Sequence, residues 1–544
     1  WGNKAIFDFN PVGLAALDKY TYKTKRAVMS TYLDVDISPS FKFRTTAGID
    51  TSLDEGLNYY NPDHGNGAGV NGRSTASRSD LLSWNISNIL TYSRSTDQSY
   101  FEVLLGQEAL GTDYSVLSAA VTDFSVPGKP DLIWGAKPEQ PGSFTTSSTM
   151  VSYLSQIKYD YDKRIYLSTS ARMDGSSRFG TNNKYGLFYS FGAGWQLSKE
   201  SWMPEWSWLN NAKLRASYGT SGNNNIGNYA SLGLYGSGAN YGGYPGLTPI
   251  QLENKDLSWE KIQSFNIGLE LNFFSKLQTS FEFYNRNSDG LLFARPLSAG
   301  TGIGSILSNL GAMKNRGIEA SFKYNLIDND KFYSALGLNI STNSNEILQL
   351  TTDKIVSGTK LLEEGSSIYQ FYMREWAGVN PDNGRPMWFV NADADDREEN
   401  TLPESAFEDP LGSGKQVTSD YADAERKRLG NALPKVYGGV NYELAYKNFD
   451  LNFYLYYSYG GKAYNSDYVA NMHDGTQSGT NLAVDAANAW TPNNRYTEVP
   501  RYVINNTDQS EQMSSRFIED ASYLRFKNIN LSYQLPESIC KSWK

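Results

Sequence analysis

Few side chains in this chain are equipped for covalent chemistry. Histidine occurs twice, as His64 and His473, and cysteine once, as Cys540. A single thiol excludes an internal disulfide, a cysteine-based zinc site and an iron–sulfur cluster. Gly65-Asn66-Gly67-Ala68-Gly69 follows His64, but no strand-to-helix pattern surrounds it, so it does not read as a phosphate loop. Among 58 acidic residues some pair could lie close enough for glycoside hydrolysis, yet no spacing singles one out. Without a nucleophile, metal or cofactor motif, the expectation is that the protein is not an enzyme. Asp393, Asp395 and Asp396, followed by Glu398 and Glu399, could hold a hard cation such as calcium in a loop. The run lacks the glycine and distal glutamate of an EF-hand loop, so a solvated charge run accounts for it better and no cofactor is expected.

Binding chemistry is better represented. Tyr229, Tyr235, Tyr241 and Tyr244 stand among glycines in one stretch. Their ring faces could stack on a sugar, and the glycines leave room for it. An aromatic rim or a contact for a covering protein uses the same residues. Trp376, Trp388 and Phe389 flank the turn signal Asn380-Pro381-Asp382-Asn383-Gly384 and are candidates for ligand or partner contact. Trp202, Trp206 and Trp208 surround Pro204 and suit a membrane–water interface, where an apolar ring with a polar tip is at home.

The elements that would carry these residues show period two. Phe265, Ile267, Leu269, Leu271 and Phe273 alternate with Asn266, Gly268, Glu270 and Asn272. Leu277, Thr279, Phe281 and Phe283 alternate with polar residues that include Glu282, and Ile318, Ala320, Phe322, Tyr324 and Leu326 alternate with Glu319 and Lys323. Successive strand side chains face opposite ways, so each segment has an apolar and a polar face. The segments run for about ten residues, the length a tilted strand needs to cross a bilayer. Near the end Leu524 and Phe526 are in phase but Ile529, Leu531 and Tyr533 are not, which predicts a β-bulge near Lys527-Asn528.

Short and long connections alternate. Ser38-Pro39-Ser40, Asp160 to Lys163, Phe274-Ser275-Lys276, Asp328-Asn329-Asp330 and Lys447-Asn448-Phe449 are tight. Those of about 174–184, 219–261, 287–315, 343–435 and 460–522 are long. An up-and-down membrane barrel does this, with short periplasmic turns and large external loops. The fold class expected is therefore all-β, an antiparallel transmembrane β-barrel. Tyrosine (38) and tryptophan (12) are abundant, net charge is -9, and no apolar run is long enough for a membrane helix. The negative charge argues against nucleic acid as a partner.

Several stretches resemble a known family. Asn210-Asn211-Ala212-Lys213-Leu214-Arg215-Ala216-Ser217-Tyr218-Gly219-Thr220-Ser221-Gly222-Asn223 looks like a SusC-like TonB-dependent transporter of Bacteroidota. So do Leu257-Ser258-Trp259-Glu260-Lys261, Asn309-Leu310-Gly311, Asn315-Arg316-Gly317-Ile318-Glu319, Gly378-Val379-Asn380-Pro381 with Gly384, and Ala521 to Asn528. The ordered set spans about residues 20 to 536.

The resemblance implies a barrel of the 22-stranded type, of which residues 1–544 would be a part. The family's N-terminal plug domain and TonB box, and its last strands, are not recognised in this sequence. It further implies active import of an oligosaccharide or oligopeptide across the bacterial outer membrane, driven by the TonB complex. A SusD-like lipoprotein would serve as lid, and transporter–lipoprotein pairs would dimerise. Two other readings compete on the residues alone: a passive porin or scaffold barrel, and a soluble extracellular carbohydrate-binding β-protein.

Overall fold

The computed structural model describes residues 11–204, 206–329, 331–390, 402–473, 481–503, 507–536 and 540–541. Strand dominates; the described α-helices, Pro11–Leu17 and Ser466–Asn471, are one or two turns long. No described helix is long and apolar enough to cross a membrane. Among the described residues, fifteen strands run for ten residues or more, well beyond the five or six usual in soluble sheets.

The chain divides into two compact units: Trp1–Glu200 with Arg215–Phe265 and Ser288–Gly311, and Ser201–Leu214 with Asn266–Asn287 and Ala312–Lys544. In the first, β1 (Lys19–Ser38), β2 (Phe41–Tyr60), β3 (Arg73–Ser95), β4 (Ser99–Phe124), β5 (Gly142–Tyr161), β6 (Ile165–Ser176) and β7 (Tyr185–Gln196) each pair antiparallel with the next. A separate hairpin, β8 (Leu234–Tyr241) and β9 (Tyr244–Gln251), stands in the long connection. The turn between β5 and β6 places Asp162 and Lys163 at φ 52° and 51°, and the Asp160 carboxylate accepts from the Lys163 amide at 2.8 Å. Two successive positive φ values are what a tight right-twisted hairpin requires.

Register gives each wall strand its two faces. Phe43, Leu90 and Leu105 are direct neighbours across β2, β3 and β4; the next row on that face, Thr45, Asn88 and Gln107, is polar but hydrogen-bonded within itself, and the rows beyond it hold Ile86, then Ile49 and Trp84. The opposite face carries ion pairs: Arg44–Asp34, Lys158–Glu102 and an Arg172 guanidinium bridging Glu108 (2.9 Å) and Asp174 (2.7 Å). One face thus suits hydrocarbon and the other a hydrated lumen. In β1 nineteen of the twenty residues are exposed.

The second unit contains β10 (Ala312–Asn329) and β11 (Phe332–Ser341). Its long connection holds β12 (Trp376–Val379), β13 (Pro386–Val390) and β14 (Gln416–Thr418), and the wall resumes with β15 (Val436–Tyr446), β16 (Phe449–Tyr459) and β17 (Tyr523–Tyr533). β10 pairs with β11, β11 with β15, β15 with β16 and β16 with β17, all antiparallel. Lys323 pairs with Glu443 on the polar face. The β16–β17 register shifts where Tyr454 faces Asn528 and Leu455 faces Phe526, so Lys527 is the extra residue of the bulge. Trp206 and Trp208 stack at 4.9 Å, Trp208 stacks on Phe273 at 5.9 Å, and all three tryptophans near Pro204 are exposed, as a membrane-interface cluster would be.

Candidate functional site

The long connections are not slack. In the first unit, Leu257 and Trp259 are buried with Phe179 and Phe188, and Met150, Ile226, Leu292 and Leu307 close around them. The Trp259 ring lies 4.7 Å from Phe179 and 5.5 Å from Phe188, and its indole N–H donates to the Lys184 carbonyl at 3.1 Å. Glu260 accepts from the Asn223 side chain (2.6 Å) and from the Leu292 amide (2.9 Å). The Asn309 amide group donates to the carbonyls of Ser258 (2.7 Å) and Gly290 (3.0 Å) and accepts from the Ser258 amide (2.7 Å). Three stretches far apart in sequence, around Asn223, Trp259 and Asn309, therefore lock one another. Their polar groups satisfy backbone that would otherwise lie unpaired at the loop base.

The tyrosine stretch divides. Tyr229 is held: its hydroxyl accepts from the Ser147 amide and its carbonyl from Gln251, whose side-chain amide also donates to the carbonyls of Ala230 and Leu232. Tyr235, Tyr241 and Tyr244 lie on the β8–β9 hairpin with 68%, 88% and 77% of their surface exposed. Tyr241 and Tyr244 are direct cross-strand neighbours beside the Gly242-Gly243 tip, and Leu247 and Ile250 are also exposed. Gln251 anchors the base of a hairpin that presents aromatic and aliphatic surface to its surroundings.

In the second unit the tryptophans go inward. Trp388 is 0% exposed, edge-on to Trp376 (5.8 Å) and Tyr421 (5.3 Å), with Met387 and Val417 buried alongside. It offers no face to a ligand here; it is the core of the small sheet formed by β12, β13 and β14. Trp376 is partly covered by the Arg516 guanidinium at 5.1 Å, and the Phe389 ring lies 4.9 Å from the Lys415 ammonium. The turn before β13 is clamped by the following long connection. Trp490 and Arg495 donate to the Pro381 carbonyl, Arg495 pairs with Asp382, and the Arg501 amide donates to the Gly384 carbonyl. Buried Asp508 accepts from Arg501 at 2.8 Å and lies 3.4 Å from Arg385. Gly384 sits at φ +74° with the Trp490 ring 2.5 Å from where a Cβ would stand, so only glycine fits. Sequence reading marked the turn but not Trp490, Arg495, Arg501 or Asp508; no local pattern announces a clamp more than a hundred residues away.

Gly317 shows the same economy on the wall. A Cβ there would come 2.1 Å from the Thr342 carbonyl and 2.5 Å from the Tyr284 hydroxyl, which itself donates to Thr342 and Asn343. The acidic run from Asp393 to Glu399 lies outside the described residues. His64 caps the short turn Gly65–Val70 with its ring against Gly13, and His473 is buried.

Long two-faced strands, tight turns and ordered long loops are the features of a transmembrane β-barrel. The chain belongs to the TonB dependent receptor-like, β-barrel family, whose sequence model matches residues 3–544. It is similar to TonB-dependent receptor P3 of Formosa agariphila, 30% identical over 97% of this chain and 53% of that protein. It is also similar to the TonB-dependent receptor SusC of Bacteroides thetaiotaomicron, 30% identical over 75% of this chain and 40% of that protein. Among solved structures it resembles that of the RagAB peptide transporter, with a TM-score of 0.84 and 26% identity over 97% of this chain and 57% of that one. The chain spans about half the length of the curated relatives it matches. These relationships place it in the outer membrane, in a family of receptors and transporters, and remove the soluble reading.

Proposed function

We propose that the protein carrying this chain imports an oligosaccharide or oligopeptide across the outer membrane by TonB-dependent active transport, with a SusD-like surface lipoprotein as its lid. The observation that carries the reading is that in each unit the long connections form an ordered assembly, built in part by the stretches that resemble SusC-like transporters. Loops on a rigid wall are where binding groups concentrate. The similarity to a structure described as a peptide transporter supports an oligopeptide as readily as a glycan. Tyr235, Tyr241 and Tyr244 are the residues proposed to meet lid or solute, because their rings are exposed. Phe389 and Trp376 are secondary candidates, each with one ring face taken by a cation. Dimerisation of transporter–lipoprotein pairs belongs to the same proposal.

The test is mild-detergent purification of the native protein from outer membranes, with mass spectrometry of every co-purifying chain, and measurement of oligosaccharide and oligopeptide uptake in a deletion strain. A co-purifying surface lipoprotein and loss of uptake of one solute class are expected. Recovery without a partner, with uptake unchanged on deletion, would leave the porin or scaffold reading.

A further inference from the structure

The apolar face of the first unit is not evenly filled. Two consecutive cross-strand rows run over β5, β6 and β7: Ile157, Thr169 and Phe191, then Tyr159, Leu167 and Ala193. Thr169 and Ala193 are small where their neighbours are large. The result is a recess of about 570 Å³, walled by Ile157, Tyr159 and Phe191 and bounded beyond by Tyr218 and Phe265. Its walls are side chains of the face that meets hydrocarbon, and it lies one row from the tight β5–β6 turn, the periplasmic end of the wall. The intervening row is Tyr161, Ile165 and Trp195, all exposed, as an interfacial girdle should be.

Charge at that end is uneven. Arg164 is spent: it pairs with Asp162 (3.0 Å) and Glu200 (3.3 Å) and lies over the Tyr161 ring. Glu200 also accepts from the Trp195 indole at 3.0 Å. Lys163 and Lys199 are exposed, and the Lys199 ammonium donates to the Lys163 backbone carbonyl at 3.3 Å, which brings it to the turn that carries Lys163. The girdle row therefore separates an apolar recess from a turn that carries exposed Lys163 and holds the Lys199 ammonium.

We propose that this recess is a phospholipid site: one acyl chain lies between Tyr159 and Phe191, and the lipid phosphate rests on Lys163 and Lys199. An apolar recess of this size gains nothing from water, and left empty it forfeits the dispersion contacts of its walls. The membrane supplies the filler, and cationic side chains at the interface attract the anionic head by about fivefold in affinity each. The inference rests on the membrane-spanning fold and not on the solute or the lid, so lipid retention reads it separately from uptake.

The experiment uses the full-length transporter in mild detergent, titrated with palmitoyl-oleoyl-phosphatidylglycerol and read by native mass spectrometry. Wild type is expected to hold one lipid with clear preference. Ala193→Phe, which fills the recess from the lipid side, should weaken that binding at least tenfold while heat-modifiable gel migration shows an intact barrel. The pair Lys163→Ala and Lys199→Ala lies at the sheet's end and at a turn, away from the packed wall, and should cost about fivefold per lysine. Retention of lipid by Ala193→Phe equal to wild type would overturn the proposal. So would lipid binding indifferent to both lysines, or displacement by lipopolysaccharide with no phospholipid preference.

Discussion

Trp259→Ala tests whether the stretch Leu257 to Lys261 holds the loops or touches cargo. The indole is buried between Phe179 and Phe188 and ties the loop to the Lys184 carbonyl. Truncating a buried aromatic to alanine costs about 3 to 5 kcal/mol, through lost transfer free energy and the cavity left behind. Little of that should fall on the wall, whose strands keep their ladders. It should fall on the local closing of the loop base, raising the open population roughly a hundred- to several-thousand-fold. Hydrogen exchange in the full-length transporter should then accelerate in peptides near residues 176–184, 223–232 and 254–260, while β1–β5 stay protected. Exchange unchanged in those three segments would refute the packing argument. Loss of solute or lid binding with loop protection intact would make Trp259 a contact residue instead.

Other perturbations follow from the same geometry. Asp508→Ala removes the buried carboxylate that Arg385 and Arg501 share beside the Gly384 turn; both arginines stay partly hydrated, so the loss is that of a charged hydrogen bond, about 1.5 to 3 kcal/mol, and trypsin should cut after these arginines about tenfold faster or more. Gly317→Ala should cost about 1 to 3 kcal/mol, read as a lower heat-modification temperature, because its methyl group meets the Thr342 backbone. Adding Tyr284→Ala should restore little of that, since the carbonyl and not the hydroxyl is the nearer obstacle. Burial lowers the Lys360 pKa to about 8, although the Phe371 face and the Tyr369 carbonyl favour the charged form and offset part of it. The native loop then binds fewer protons than the unfolded loop between pH 8 and the ordinary lysine value, so burial destabilises it fully below pH 8 and is relieved as pH rises. Lys360→Met should therefore protect this loop from protease at pH 7, with the gain vanishing above pH 10; a loss of protection at pH 7 would show that the ring contact dominates.

Much of the wall was legible because a membrane strand obeys one simple constraint. The alternation around Phe281 and Phe322, the tight turn at Asp160 to Lys163 and the phase slip at Lys527 are local, and each is found where the pattern places it. The loops follow no such rule. Trp388 stands beside a turn with nothing nearby in sequence to cover it, yet Trp376, Tyr421 and Val417 bury it. Likewise the partners of Asn309 lie 51 and 19 residues away, and only tertiary contact reveals that Ser258 and Gly290 need its amide. Tyr235, Tyr241 and Tyr244 could be marked by composition, but their separation from Tyr229 depends on where Gln251 anchors the hairpin.

The pairing of β1 through β7, each with its sequence neighbour, also bears on how the protein is built. Such pairing has low contact order, so the wall can zip one hairpin at a time without searching for distant partners. The lock among Asn223, Trp259, Glu260, Leu292 and Asn309 can close only after the strands between them are in place. Assembly should thus have an early phase that commits the polypeptide to the bilayer and a late one that finishes its outer surface. Lesions in the lock would yield inserted molecules with unfinished surfaces, exposed to whatever proteases patrol the cell exterior.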